Sequence, residues 1–268
     1  MQPQPQPLYD GRNLRPAYQL RYGWTGWPTG NTSLPMQLSD VARQTAELWE
    51  SDGLRLLELR CSDQEAQLTF SAKPEVAPAL VASRVKGRLQ CALRKAGLPV
   101  QFSRKLAIRS IGENCTDDVQ QYIRSQVVNA AFADPDFANR LQQFTVANSA
   151  VLLSQPTETE SGRYWYNLHF VLVTEERYQR GDEQWLGKIR DQSFRIARKK
   201  GYAISCLSVM PDHLHVVLRG DISHSPQEIA LVFQNNLAYA LGQVRVWRHT
   251  YYAGTFSEYD MQSVRRRT

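Results

Sequence analysis

Internal repetition constrains this chain more than any other feature. Shifted back by 148 positions, the second half falls on the first: Tyr166, Leu168 and Phe170 land on Tyr18, Leu20 and Tyr22, Gly201 on Gly53, and Leu237 on Leu89. After a short slip the shift becomes 145, and Trp247 lands on Phe102, Glu258 on Glu113 and Val264 on Val119. Identity between the halves is low, so the order of elements carries the argument. Each half is patterned as strand, helix, strand, tight turn, strand, helix, strand, a unit repeated along the chain.

In the second half, polar and apolar residues alternate over 164–173, as on a half-buried strand. Helical spacing (Trp185, Ile189, Ile196) runs over 182–200 and ends in a basic cluster before Gly201. Strands are expected at 202–209 and 213–219 around a Met210-Pro211-Asp212 turn, then a helix from Ser225-Pro226 to about 243 and a strand at 250–256. The first half predicts strands at 17–22, 54–60, 66–71 and 106–111, with helices at 38–50 and 76–95. It then adds a helix from Thr116 to about 131, with Thr116 as its cap and Asp117 and Asp118 in its first turn. This is an α+β pattern. The expected organisation is a polar tail (1–16), an N-terminal unit (17–131), a connector (132–162) ending in a polar loop, and a C-terminal unit (163–268).

Bulk properties narrow the class. No apolar run reaches membrane-spanning length, and the opening Met-Gln-Pro-Gln-Pro-Gln-Pro is polar, so a cytoplasmic protein is expected. The four cysteines show no zinc-ligand spacing and suit a reducing compartment. A net charge of +6 and a pI near 9.2 fit a polyanionic partner.

His213 and His215, two apart on a strand, project from one face, which is how a strand offers two metal ligands together. Alone, such a pair is weak evidence. The run around it, Val209-Met-Pro-Asp-His-Leu-His-Val-Val-Leu218, resembles the histidine–hydrophobic–histidine (HUH) strand of the IS200-type single-tyrosine transposases and their REP-associated relatives. In that family a helix after the last strand carries a nucleophilic tyrosine and, four residues on, a metal-binding glutamine. Tyr122-Ile-Arg-Ser-Gln126 resembles that motif, and Ile108-Arg-Ser-Ile-Gly-Glu113 and Tyr251-Tyr-Ala-Gly-Thr-Phe-Ser-Glu258 resemble the approach to it. Tyr and Gln at i and i+4 share a helical face.

Each half lacks what the other keeps. Positions 213 and 215 correspond to Glu65 and Gln67, and position 122 to Arg267. The resemblance therefore implies two tandem ferredoxin-like (RRM-like) HUH units with antiparallel sheets. They would be joined as an intramolecular pseudo-dimer, with a continuous sheet across its twofold. One composite site would hold Tyr122 as nucleophile and Mg²⁺ or Mn²⁺ on His213, His215 and Gln126. A degenerate second site would be built around Glu65, Gln67 and Arg267.

The implied activity is metal-dependent cleavage and rejoining of single-stranded DNA through a 5′-phosphotyrosine, guided by a hairpin, with no membrane partner and a monomeric chain. Arg124, Arg195, Arg198, Lys199, Lys200, Arg265 and Arg266 are the candidate DNA contacts. A domesticated, inactive single-strand or hairpin binder is the alternative, and a metal hydrolase of nucleotides, which would leave Tyr122 idle, is a third reading. Tyr259 stands as a substitute nucleophile. Trp24 and Trp27 could stack on bases but suit core packing better. His169, His224 and His249 lack motif context and are expected to be structural or on the surface.

Overall fold

The computed structural model describes residues 7–30, 32–98, 100–130, 132–242 and 245–266, apart from the side chains of Ser263, Arg265 and Arg266. The N-terminal half runs β1 (Arg15–Gln19), β2 (Arg21–Pro28), α1 (Leu38–Gln44), α2 (Ala46–Ser51), β3 (Leu54–Cys61), β4 (Ala66–Ala72), α3 (Pro78–Lys95), β5 (Phe102–Ile111), α4 (Thr116–Arg124) and α5 (Gln126–Asn129). Next come α6 (Pro135–Gln142), β6 (Thr145–Ala147), β7 (Thr157–Thr159) and β8 (Gly162–Trp165). The second half is β9 (Asn167–Thr174), α7 (Glu183–Lys200), β10 (Ala203–Val209), β11 (His213–Arg219), α8 (Pro226–Leu241), β12 (Trp247–Thr255) and α9 (Met261–Arg266).

The elements form an α+β fold of two six-stranded sheets, ordered β3-β4-β2-β5-β8-β7 and β1-β12-β9-β11-β10-β6. Two expectations change here. The sheets are mixed rather than purely antiparallel, because β1 lies parallel to β12 and β8 parallel to β5. Among the described residues there is also no single sheet across the junction. The chain instead breaks strand pairing near Leu20 and Tyr166, so that β1 joins the C-terminal sheet while β2 stays in the N-terminal one, and β8 and β9 divide in the opposite sense.

This exchange is reciprocal at the level of single hydrogen bonds. Arg21 N–H donates to Thr255 Oγ1 (2.7 Å), and Asn167 N–H donates to Ser110 Oγ (3.1 Å). Thr116 N–H donates to the Ser257 carbonyl (2.8 Å), and Met261 N–H to the Gly112 carbonyl (3.0 Å). Two isolated bridges, Gly112 with Asp260 and Cys115 with Ser257, are interchanged by the shift of 145 found in the sequence. For the first strands these bonds fix the shift at 146, matching Arg21 with Asn167, two residues from the 148 read from the sequence. Because two is the period of a strand, the sequence comparison kept every side chain on its proper face while misplacing the register.

The junction leaves little room. A Cβ on Gly112 would sit 2.4 Å from the Thr255 carbonyl oxygen, and one on Gly162, at φ +145°, 2.0 Å from that of Leu106. Apolar packing also crosses the junction: one buried cluster runs through both halves, and Tyr22 and Tyr166 meet there with ring centroids 6.2 Å apart.

Local chemistry sets the helices. Asp182 Oδ1 accepts from Trp185 N–H (2.7 Å) to start α7, whose basic last turn (Arg198, Lys199, Lys200) faces the helix's negative end before Gly201 takes φ +73°. Ser225 and Glu228 form a reciprocal cap on α8. The helix expected over 38–50 is split at Thr45, whose hydroxyl bonds back to the Val41 carbonyl (2.7 Å). The polar loop expected before Gly162 contains β7 and its connector contains α6 and β6: the two short strands find partners on the sheet edges, and α6 is started by Asp134, whose side chain accepts from Asp136 N–H. Tyr9 is also held, its hydroxyl accepting from Trp247 N–H (2.8 Å). Among the described residues no helix is long and apolar enough to cross a membrane.

Candidate active site

The face of the C-terminal sheet turned away from α7 and α8 is the floor of a cleft of about 840 Å³. Strand alternation places it there. Leu214, Val216 and Leu218 of β11, with Leu168, Phe170 and Leu172 of β9, point into the helical layer, where Phe170 meets Phe233 at 4.9 Å. His213, His215 and Val217 therefore take the opposite face, beside His169, Val171 and Tyr252.

Helix α4, from the other half of the chain, roofs this floor. Its Val119 and Ile123 are buried against Cys206, Val217, Leu153 and Phe256. Fully burying an aliphatic side chain of this size is worth about 1.5–3 kcal/mol, enough to hold a short helix in place. Its N-cap is Cys115 rather than the expected Thr116; the Cys115 N–H donates to Asp118 Oδ2 (3.2 Å). The strand bridge at Cys115 ends the extended backbone one residue earlier than the sequence suggested.

Docked in this way, Tyr122 meets the histidines edge-on: its ring centroid lies 5.6 Å from His215 and 6.4 Å from His169. Tyr122 is half exposed. Tyr252 also lines the cleft, but burial raises its phenol above the ordinary range. Of the two, Tyr122 is the one open to solvent.

Each histidine has one ring nitrogen tied to the protein. His213 Nδ1 lies 2.6 Å from Asp212 Oδ1, and Arg177 donates to the other oxygen of Asp212 (3.0 Å). Arg177 and Glu176 both sit in left-handed backbone (φ 53° and 52°), a conformation costing roughly 1–2 kcal/mol per residue, and Arg177 lines the cleft from there. His215 Nδ1 lies 3.1 Å from His169 Nε2. Desolvation lowers both of these rings, His169 to about 4 and His215 well below its ordinary value with help from its histidine neighbours, so the pair is neutral at pH 7.

Gln126 also lines the cleft, one element further on in α5, with its amide nitrogen donating to the Tyr122 carbonyl (3.0 Å). The donor set therefore fits a hard or borderline divalent ion. With Nδ1 engaged on both histidines and Nε2 engaged on the glutamine, the atoms left to bind a cation are two imidazole Nε2 and one amide oxygen. Among the described residues no three His, Cys, Asp or Glu side chains form a metal group, so these three would need ligands from water or substrate.

Sequence reasoning missed His169, Asp212, Arg177 and Tyr252. Asp212 was visible as a turn residue, and its neighbour His213 was the signal. His169 lies diagonally across from His215, a relation that only strand register reveals.

The candidate DNA contacts scatter. Arg124 faces a separate groove with Gln120 and Asn148. Arg195, Arg198, Lys199 and Lys200 are exposed on α7, in the layer across the sheet from the histidines. The side chains of Arg265 and Arg266, and all of Arg267, lie outside the described residues.

Glu65 and Gln67 occupy a second cleft of about 450 Å³ on the N-terminal sheet, where Gln67 donates to Glu65 (2.9 Å). Tyr259 lines this second cleft and not the histidine one. Of the two tryptophans, Trp24 is fully buried against Phe102, and Trp27 is exposed on the same second cleft.

Comparison with known proteins places part of this chain. Among solved structures it is similar to a REP-associated tyrosine transposase bound to a REP hairpin (14% identity, 38% of this chain and 61% of that one, TM-score 0.30). It thus spans about three fifths of that protein's length. It is also similar to the regulatory subunit of aspartate kinase from Thermus thermophilus (8%, 82% and 92%, TM-score 0.21) and to an unknown protein from Galdieria sulphuraria (9%, 83% and 91%, TM-score 0.22). No curated protein matches the sequence. Residues 163–266 match the family described as "Transposase IS200 like", so the resemblance carried by the His-Leu-His strand holds, and it holds over the C-terminal unit.

Proposed function

We propose that the chain is a fused pair of ferredoxin-like HUH units, 17–131 and 163–268, with one working active site that cuts and rejoins single-stranded DNA. The observation that carries this reading is the 5.6 Å approach of Tyr122, from one half, to His215, from the other, in a shared cleft. The reciprocal bonds at the junction support the fusion, since equivalent elements meet across a pseudo-twofold as in an isologous dimer.

In this reading Tyr122 Oη attacks a backbone phosphorus, and the bond from phosphorus to the 3′ oxygen breaks. The phenol gives up its proton and the departing 3′ oxygen takes one, leaving a 5′-phosphotyrosine and a free 3′-OH. Attack by a 3′-OH on the phosphotyrosine reverses the step without an external energy source. His213, His215 and Gln126 would hold Mg²⁺ or Mn²⁺, which supplies polarisation of the scissile phosphate. Asp212 and His169 fix the two imidazoles so that their free nitrogens point outward without reorganisation. The DNA is taken to be single-stranded beside a hairpin, in keeping with the hairpin-bound relative.

The test is incubation with Mn²⁺ and end-labelled hairpin DNA with single-stranded flanks, scoring adducts that survive denaturation. The reading expects an adduct that EDTA prevents and that Tyr122→Phe and His213→Ala each abolish. An adduct that persists in Tyr122→Phe would refute it. Tight binding without any adduct across a broad DNA panel would favour the inactive binder.

A further inference from the structure

The second cleft is the structural counterpart of the first, and its contents differ in a directed way. Matching residues by the junction bonds places Trp27 where the first cleft has Val173 and Arg163 where it has Ala17, and it matches Arg109 of this cleft with Gly254 of β12. Small and aliphatic positions have become aromatic and cationic. The Arg109 guanidinium lies 3.9 Å from the ring centre of Trp165, its partner across β5 and β8, and 5.1 Å from that of Tyr259. Arg109 Nη1 is buried and makes no hydrogen bond, although Glu258 stands 3.5 Å away as its counter-ion. Burial without full pairing pushes the guanidinium below its ordinary range.

A site that had simply decayed would not gather these groups. Trp27 offers an open ring face, and the arginine-capped Trp165 offers a second apolar wall. Glu65 and Gln67, bonded to each other in the lining of the cleft, present carboxylate and amide edges. Arg163, exposed at the rim and paired with Glu158 (3.1 Å), is placed to trade that partner for a phosphate.

We infer that the second cleft binds, without cutting, one unpaired nucleotide of single-stranded DNA. The base stacks on Trp27 and meets Glu65 and Gln67 with its polar edge, while its phosphate reaches Arg163. Stacking platforms flanked by basic side chains are how proteins hold single strands. The choice of DNA as the ligand rests on the proposed function above; the cleft's own chemistry specifies a stacked base and a phosphate.

The experiment measures binding of a fluorescein-labelled mixed-sequence single-stranded oligodeoxynucleotide by anisotropy, in Tyr122→Phe protein so that cleavage plays no part. Trp27→Ala should weaken binding roughly tenfold, within the range for loss of one base–aromatic stack. Trp27→Phe should recover most of the loss, and Arg163→Ala should weaken binding less and reduce its salt dependence. Both side chains are exposed, and thermal melts matching the parent protein would establish that the fold is intact. Parent affinity in both Trp27→Ala and Arg163→Ala would overturn the inference, as would equal loss in Trp27→Phe and Trp27→Ala. Adduct formation by the protein that keeps Tyr122, together with unchanged affinity in these variants, sinks this site alone. Weakened binding in these variants, with no adduct formed by the protein that keeps Tyr122, sinks the catalytic reading and leaves this site standing.

Discussion

Two clefts built on the same strand positions do opposite things with their polar groups. In the histidine cleft, His213 and His215 are tied backward, to Asp212 and His169, which leaves a free nitrogen on each ring. In the second cleft, Glu65 and Gln67 bond to each other, so the pair spends a donor and an acceptor internally. The first arrangement turns free ring nitrogens into the cleft; the second keeps one donor–acceptor bond inside the pair and leaves a carboxylate and an amide oxygen beside it. Repeating a fold repeats the places where side chains can stand, and the chemistry is then decided by what those side chains touch.

The strongest way to break this comparison is to move the second cleft's residues into the first. The double change His213→Glu with His215→Gln should lower cleavage by roughly 10²–10³-fold or more, the scale of removing transition-state charge stabilisation. The reverse control, Glu65→Ala with Gln67→Ala, should leave single-turnover cleavage at saturating DNA within about twofold, far below that scale.

A smaller but separable effect is expected behind the histidines. Asp212→Asn keeps the shape but weakens the grip on His213 Nδ1–H, and metal affinity should fall about 10–100-fold, read by titrating Mn²⁺ against adduct yield. An unchanged Mn²⁺ titration would remove Asp212 from the site.

Docking of the tyrosine helix can be tested through its buried side. Ile123→Ala removes a fully buried side chain that joins α4 to the C-terminal sheet and should cost about 2–5 kcal/mol in urea unfolding. It should also lower adduct formation while leaving His213 and His215 in place.

The pH dependence of stability probes the neutral histidine pair. The folded pKa of His169 is about 4 against an ordinary 6.5, so the unfolded chain binds the extra proton. Its contribution is full above pH 6.5 and lost as pH falls toward 4. At 1.36 kcal/mol per pH unit it amounts to at most about 3 kcal/mol, reduced because the ring keeps a solvent-facing edge. His169→Gln should flatten urea stability between pH 7 and 4.5, and an unchanged slope would count against a buried neutral pair.

Much of this was legible in the sequence, for identifiable reasons. The His213–Arg219 strand was bounded correctly because a Pro-Asp turn and alternation mark it, and α7 because Asp182 and Gly201 punctuate it. The pairing of Tyr122 with the two histidines was suggested by complementary losses in the two halves. The strand exchange was not legible: nothing local in residues 15–19 or 162–165 tells a strand which sheet to join, since that depends on partners far along the chain, Thr250 for Arg15 and Leu106 for Gly162. His169 was missed for the same reason, its partner being fixed by register. The end of the connector was read as a polar loop because β7 within it is three residues long and depends on the strand it pairs with.

The most direct test of a composite site is to find the atom that carries the DNA. Trypsin releases Tyr122 in a peptide spanning 110–124, where it is the sole tyrosine, and Tyr251, Tyr252 and Tyr259 together in 249–265. Mass spectrometry of the digested, nuclease-trimmed adduct should place the nucleotide on the 110–124 peptide. A nucleotide on 249–265 would contradict the account, because the nucleophile would then come from the same half as the histidines and the fusion would not be needed to complete the site.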